Sequence, residues 1–214
     1  MDGLKQVDAQ LLEEARRQSL TPPTWSEPNE SSRPERRIGP VGVRPQRQGN
    51  TFATFQLDRN SAMAAALNRC RAVAEGREWC AFLHGSTGNG KTHLAVAALH
   101  ERGAGQFWKA PEFLAWLRQL LSKGIEAGYG SEQVEMVLEE YHRPFLLVLD
   151  DLGTENQTDW AAEQLYRLLD ERYEERAPTI ITSNVAFEHV DARIRSRFRE
   201  GYVACAGRDL RGAP

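Results

Sequence analysis

The 214-residue chain has no CxxC pair, no clustered histidines and only three cysteines, Cys70, Cys80 and Cys205. That argues against a zinc site and against a disulfide framework, and leaves the thiols as small buried hydrophobes of a protein from a reducing compartment. No window approaches the roughly 18 uninterrupted apolar residues of a membrane span. The start, MDGLKQVDAQLLEEARR, lacks the basic and then apolar pattern of a secretory leader. The expectation is a soluble, cytoplasmic protein with no membrane partner. A formal net charge of −3 supplies no overall positive field, so any nucleic-acid contact must be a local patch. The N-K-x-D motif by which GTPases recognise their base is also absent.

What is present divides near residue 50. A hydrophobic fraction of 41% with 8% aromatics is enough for a globular core. Six of the 10 prolines fall before that point, however, in a stretch with neither helical nor strand period. Residues 21–50 therefore read as a flexible, locally basic linker with too little apolar surface to offset its ordering entropy. Ahead of it, Leu4, Val7, Leu11 and Ala15 recur at three- and four-residue steps, with Leu12 widening the stripe. Residues 1–20 form one amphipathic helix by this pattern, which either folds back on the main domain or docks on another protein.

From Thr51 to residue 214 the pattern is that of one domain. A helix is expected around Ser61–Glu75. Strands are expected at WCAFLH, GQFWKA, PFLLVLD, TIITSN and GYVACAG. Between them lie helices ending near His100, opening at Pro111, running over Ser131–Tyr141 and Asp159–Glu175, and a short basic one at VDARIRSRFRE. Strands alternating with helices predict a three-layer α/β domain with a mostly parallel five-stranded sheet.

The chemistry is concentrated after the first strand. Gly85, Gly90, Lys91 and Thr92 satisfy G-x-x-x-x-G-K-[ST] between a strand and a helix, the context a phosphate-binding loop requires. In such a loop the backbone N–H groups turn toward phosphate oxygens, the lysine sits between the β- and γ-phosphates, and the threonine hydroxyl ligates magnesium. A second acid for the metal is supplied by LLVLDD: Asp150 on the metal side, and Asp151 to orient or deprotonate the attacking water. Glu155 is a spare carboxylate nearby. Asn184, at the end of TIITSN, suits a hydrogen bond to the γ-phosphate or the water, ahead of Thr182 and Ser183. The run Arg193, Arg195, Arg197 and Arg199 is either a solvated face or a source of the planar fork that completes an ATP site.

In order and approximate spacing, TFATF, GSTGNGKTHLA, PEFLAWLR, LLVLDDLGTE, PTIITSN, RIRSRF and GRDLR resemble the AAA+ ATPases of the DnaC/DnaI helicase-loader and IstB transposition-helper group. The resemblance covers about residues 50–211. It implies a P-loop NTPase fold of the ASCE type binding ATP and Mg2+. Walker A would comprise Gly85, Ser86, Thr87, Gly88, Asn89, Gly90, Lys91 and Thr92, and Walker B would comprise Asp150 and Asp151. Asn184 would be the first sensor. Arg197, or else Arg193, would be the arginine finger serving a neighbouring subunit, and Arg211 the second sensor. Most relatives carry Glu where Asp151 stands, which implies slower turnover. With the chain ending three residues after Arg211, no complete C-terminal lid domain is expected. Phe52 and Phe55 either wall the adenine pocket or pack under the sheet.

The resemblance further implies self-association into a ring or spiral, a hexameric DnaB-type replicative helicase as partner, and single-stranded DNA. Lys109, Arg118 and Lys123 are candidate phosphate contacts or else scattered surface charge. The alternative is an IstB-type ATPase that delivers target DNA to a transposase.

Overall fold

Strands that are apolar on both faces need a helical layer on each side, and the computed structural model describes how this chain supplies both, over residues 42–57, 61–126, 145–154 and 158–209. The expected helix at 1–20, residues 21–41 of the expected linker, the helix expected at Ser131–Tyr141, Glu155 and Arg211 lie outside the described residues, as does the Lys123 side chain.

Five strands form the sheet: β1 (Cys80–His84), β2 (Gly105–Lys109), β3 (Leu146–Leu152), β4 (Thr179–Ser183) and β5 (Tyr202–Ala204). Their order is β2-β3-β4-β1-β5, and every pairing is parallel. The helices are α1 (Ala64–Ala74), α2 (Lys91–Arg102), α3 (Ala110–Glu126), α4 (Asp159–Glu174) and α5 (Ala192–Arg197). Alternate strand residues separate two cores. Phe82, Leu147, Leu149 and Ile181 pack with Phe113, Leu117, Leu165 and Ile194 of α3, α4 and α5. Ala81, Leu83, Val148 and Ile180 pack with Leu67, Val73, Leu94 and Leu99 of α1 and α2.

Local chemistry sets the helix ends. The Thr158 hydroxyl accepts from the Ala161 N–H and caps α4, and the Asp191 carboxylate caps α5 by accepting from the Arg193 N–H. Gly103, at a φ of 72°, closes α2 through its N–H to the Leu99 carbonyl. Among the described residues no helix is long and apolar enough to cross a membrane.

Ordered packing starts ahead of the expected boundary at Thr51. Val43 lies against the α1/α2 core, Arg44 pairs with Glu112 of α3, and Pro45 opens a one-turn 3-10 helix ending at Arg47. The His93 ring nitrogen Nε2 lies 2.9 Å from the Thr51 carbonyl. Isolated residues make these contacts, so the segment shows no period in sequence. Residues 42–57 form a strap that runs from the edge strand β2 to α2.

Candidate functional site

In a parallel sheet all strand ends of one sense lie along one rim, and where neighbouring strands connect in opposite directions the rim opens into a crevice. Here β1 leads through α2 to β2 at the far edge, while β3 and β4 lie between them. The loop after β1, the acids of β3 and the end of β4 therefore meet at one crevice. It holds a cavity of about 440 Å³ lined by residues 87–93, Lys109, Asp151 and Asn184, with Arg47 and Asn50 of the strap.

The phosphate-loop sequence forms the floor. Gly85, at a φ of 154°, passes so close to β5 that a Cβ there would stand 2.2 Å from the Cys205 carbonyl oxygen. Gly90, at 101°, takes the left-handed conformation from which α2 starts, beneath the Phe55 ring. The α2 amino end faces the cavity, so its dipole favours an anion there. Lys91 is buried, and its ammonium donates to the Gly85 carbonyl at 2.8 Å, the Ser86 carbonyl at 2.6 Å and Asn89 Oδ1 at 3.1 Å. Asn89 is itself fully buried, and its amide donates to the Cys205 carbonyl at 2.9 Å, which braces the loop on β5.

Asp150 is wholly buried at the rim. The Thr92 and Thr182 hydroxyls both donate to its Oδ1, at 2.8 and 2.7 Å, and Arg47 approaches its Oδ2 at 3.5 Å. Burial, with a smaller contribution from the Asp151 charge, raises its carboxyl above the ordinary 3.8 despite those donors. A threonine hydroxyl beside a carboxylate is a hard-oxygen donor set that suits magnesium arriving with phosphates. Among the described residues no cluster of His, Cys, Asp and Glu could hold a metal by itself.

Asp151 adopts a φ of 60°, rare outside glycine, where the β3–β4 register slips between Leu149 and Leu152. Its N–H donates to Thr182 Oγ1 at 3.0 Å, and its Oδ1 accepts from the Asn184 amide at 2.9 Å. The Lys109 ammonium stands 3.9 Å from its Oδ2. The two acids thus share Thr182 but turn to different sides of the rim.

Residues 85–92, Asp150, Asp151 and Asn184 are brought together in this way. The finger candidates are not among them. Arg197 pairs with Asp170 on its own chain's α4, donates to the Tyr166 hydroxyl at 2.7 Å, and stacks on that ring. Arg193 pairs with Asp191 and Glu163 and lies 4.0 Å over the same ring. Phe52 and Phe55 are both buried in the α1/α2 core, Phe55 edge-on to His93. Lys109 points into the cavity and Arg118 stacks on Trp160 at 4.7 Å, so neither lies as free surface charge.

Arg47, Asn50, His93 and Lys109 line the site without having been singled out for it. Lys109 was findable: it closes a strand whose register sets it opposite Asp150, and strand ends of this sense gather ligands. Arg47 carries no comparable signal.

A family model described as IstB-like ATP binding protein matches residues 52–198. An ATP-binding protein of an insertion sequence from Mycobacterium tuberculosis is 30% identical over 142 residues, covering 64% of this chain and 53% of the relative. The chromosomal replication initiator protein DnaA of Rippkaea orientalis is 28% identical over 158 residues, covering 72% of this chain and 34% of the relative. The chain thus spans between about a third and about a half of the length of these relatives. Among solved structures, the DnaC helicase loader superposes with a TM-score of 0.63 at 23% identity, over 76% of this chain and 98% of that one, and shares its fold.

Proposed function

Since the chain belongs to the IstB-like ATP-binding protein family, we propose that it hydrolyses ATP in an assembly of its own copies. In that assembled form it loads a hexameric replicative helicase onto single-stranded DNA. The observation that carries the ATPase reading is the convergence of Lys91, Thr92, Asp151 and Asn184 on one cavity at the strand ends, with Asp150 buried beside it on the Thr92 hydroxyl.

Magnesium, held by the Thr92 hydroxyl and the Asp150 carboxylate, would neutralise developing phosphate charge. Lys91 leaves its loop carbonyls to pair with the β- and γ-phosphates. Asp151 accepts a proton from the attacking water or orients it, and Asn184 holds the carboxylate in the orientation that does so. Arg197 cannot serve the cavity of its own chain while it is bonded to Asp170 and Tyr166. It supplies the fork to an adjacent subunit, so turnover requires assembly.

The helicase reading is supported by the organisation of the sequence, in which an amphipathic segment at residues 1–20 precedes a proline-rich tether and offers a separable handle for a partner. A second reading, delivery of target DNA to a transposase, is favoured by the insertion-sequence relative. ATP turnover by the purified protein with single-stranded DNA and a DnaB-type helicase, against duplex DNA and a transposase, separates them. Stimulation by the first pair, lost on deleting residues 1–20, supports loading. Stimulation by the second pair alone, with ATP-dependent filaments on duplex DNA, overturns it.

A further inference from the structure

We infer that Arg47 is a second phosphate-binding cation of the nucleotide site, acting within its own chain and reading the terminal phosphate. The inference rests on the nucleotide-site reading above and adds a residue that lies outside every phosphate-loop motif.

Arg47 reaches the site from the strap. Its guanidinium stacks 5.0 Å from the Phe107 ring centre and extends over the end of β2 to Asp150 Oδ2 at 3.5 Å. The Arg47 side chain is 25% exposed, whereas Asp150 is fully buried, so the cation stands on the solvent side of the acid and shares the cavity with Lys91 and Thr92. At 3.5 Å the contact is at the long limit of a hydrogen bond. It is also the only polar contact of this guanidinium among the described residues. An arginine has five N–H donors in a planar fork, so most of them are uncommitted at a residue that lines the cavity.

Charge decides where they go. The Asp150 oxygen that Arg47 faces is the one left open by the Thr92 and Thr182 hydroxyls. Were Asp150 Oδ2 to help hold a divalent cation, like charge would disfavour the guanidinium at that oxygen. A terminal phosphate in the same cavity offers a planar-matched anion in exchange. A nucleoside diphosphate offers less charge at that end. Arg47 therefore exchanges the carboxylate for phosphate when a magnesium–triphosphate occupies the site.

The test is equilibrium binding of the full chain, in magnesium, to fluorescent ADP and to a fluorescent non-hydrolysable β,γ-methylene analogue of ATP. Arg47→Ala, Arg47→Lys and Lys91→Ala are compared with the parent. Losing one charge-assisted contact should weaken the triphosphate analogue about tenfold in Arg47→Ala. ADP should change by less than about twofold, and Arg47→Lys should recover part of the loss. Equal weakening of both nucleotides, or of neither, overturns the inference and leaves Arg47 as a structural partner of Asp150. If Lys91→Ala binds both nucleotides as the parent does, the nucleotide-site reading itself fails, whatever Arg47→Ala does.

Discussion

The Asn184 amide donates to Oδ1 of Asp151 at 2.9 Å, tying the tip of β4 to an acid whose backbone stands at a φ of 60°. Such a conformation costs of order 1–2 kcal/mol for a residue other than glycine. Here the Asp151 carboxylate lines the cavity, with the Lys109 ammonium 3.9 Å from its Oδ2. If Asp151 acts on the attacking water as proposed, Asn184→Ala should lower the rate of hydrolysis about 10²-fold with ATP affinity nearly unchanged. Single-turnover rates beside equilibrium ATP binding measure the split. A loss confined to affinity would remove Asn184 from the chemistry.

Asp151→Asn keeps a side chain that tolerates the left-handed conformation while removing the proton acceptor. The variant should melt within a few degrees of the parent and hydrolyse ATP roughly 10²- to 10⁴-fold more slowly. Retained turnover would hand the role to another carboxylate, with Glu155 first in line.

Asp150→Asn should unfold at a higher temperature than the parent at pH 7. The folded-state carboxyl titrates above the 3.8 it has in the open chain, because of its burial. The folded form therefore binds the proton more tightly, and stability falls as pH rises from 3.8 through the folded-state value. The amide does not ionise and escapes that cost at neutral pH. Below 3.8 the parent is protonated in both states, so the difference should vanish. Melting curves across that range check both the sign and the window, and equal melting temperatures at pH 7 would contradict it.

Asp170→Ala removes the ion pair that holds Arg197 on its own chain and leaves the Tyr166 contact in place. The pair is partly exposed, so the ion pair accounts for up to about 1 kcal/mol, or roughly a fivefold change in an equilibrium. If Arg197 serves a neighbour, the protein concentration giving half-maximal ATPase activity should fall by up to about that factor. An unchanged or higher concentration would count against release of Arg197 as a step in assembly.

Arg172 is wholly buried, donating to Thr179 Oγ1 at 2.9 Å and to the Phe145 and Pro178 carbonyls at 2.8 and 2.6 Å, and burial pushes its guanidinium down to about 9. Arg172→Ala would remove the guanidinium that ties Thr179 and the Phe145 and Pro178 carbonyls together, and would open a cavity. A loss of roughly 3 kcal/mol or more in denaturant unfolding is expected. Nucleotide affinity per folded molecule should be preserved, since α4's inner end is remote from the crevice.

The strands, their alternation with helices and the loop with its two acids were legible in the sequence because each has a local signature: continuous apolar runs at LLVLD and TIIT, and fixed spacing from Gly85 to Thr92. Residues 42–50 were not legible, because Val43, Arg44 and Arg47 are held by partners far along the chain, Glu112 and Asp150 among them. Arg172 sits on α4 where spacing gives no reason to bury a charge. Its acceptors appear only when the turn before β4 folds over it. Thr182 was ranked below Asn184 by position, yet its hydroxyl is what links the two acids.

The strand order has a consequence for how the protein comes into being. β1, which leads into the phosphate loop, pairs with β4 and β5 among the described residues, and both are made long after it. A chain still emerging from the ribosome exposes the whole GSTGNGKTHL sequence with no strand on either side to hold it. Long-range parallel pairing of this kind is slow to nucleate and leaves apolar edges open while it waits. Competence to bind nucleotide is therefore gained late, when β4 and β5 close on β1. ATP supplied during synthesis should then favour the completed fold over half-made chains.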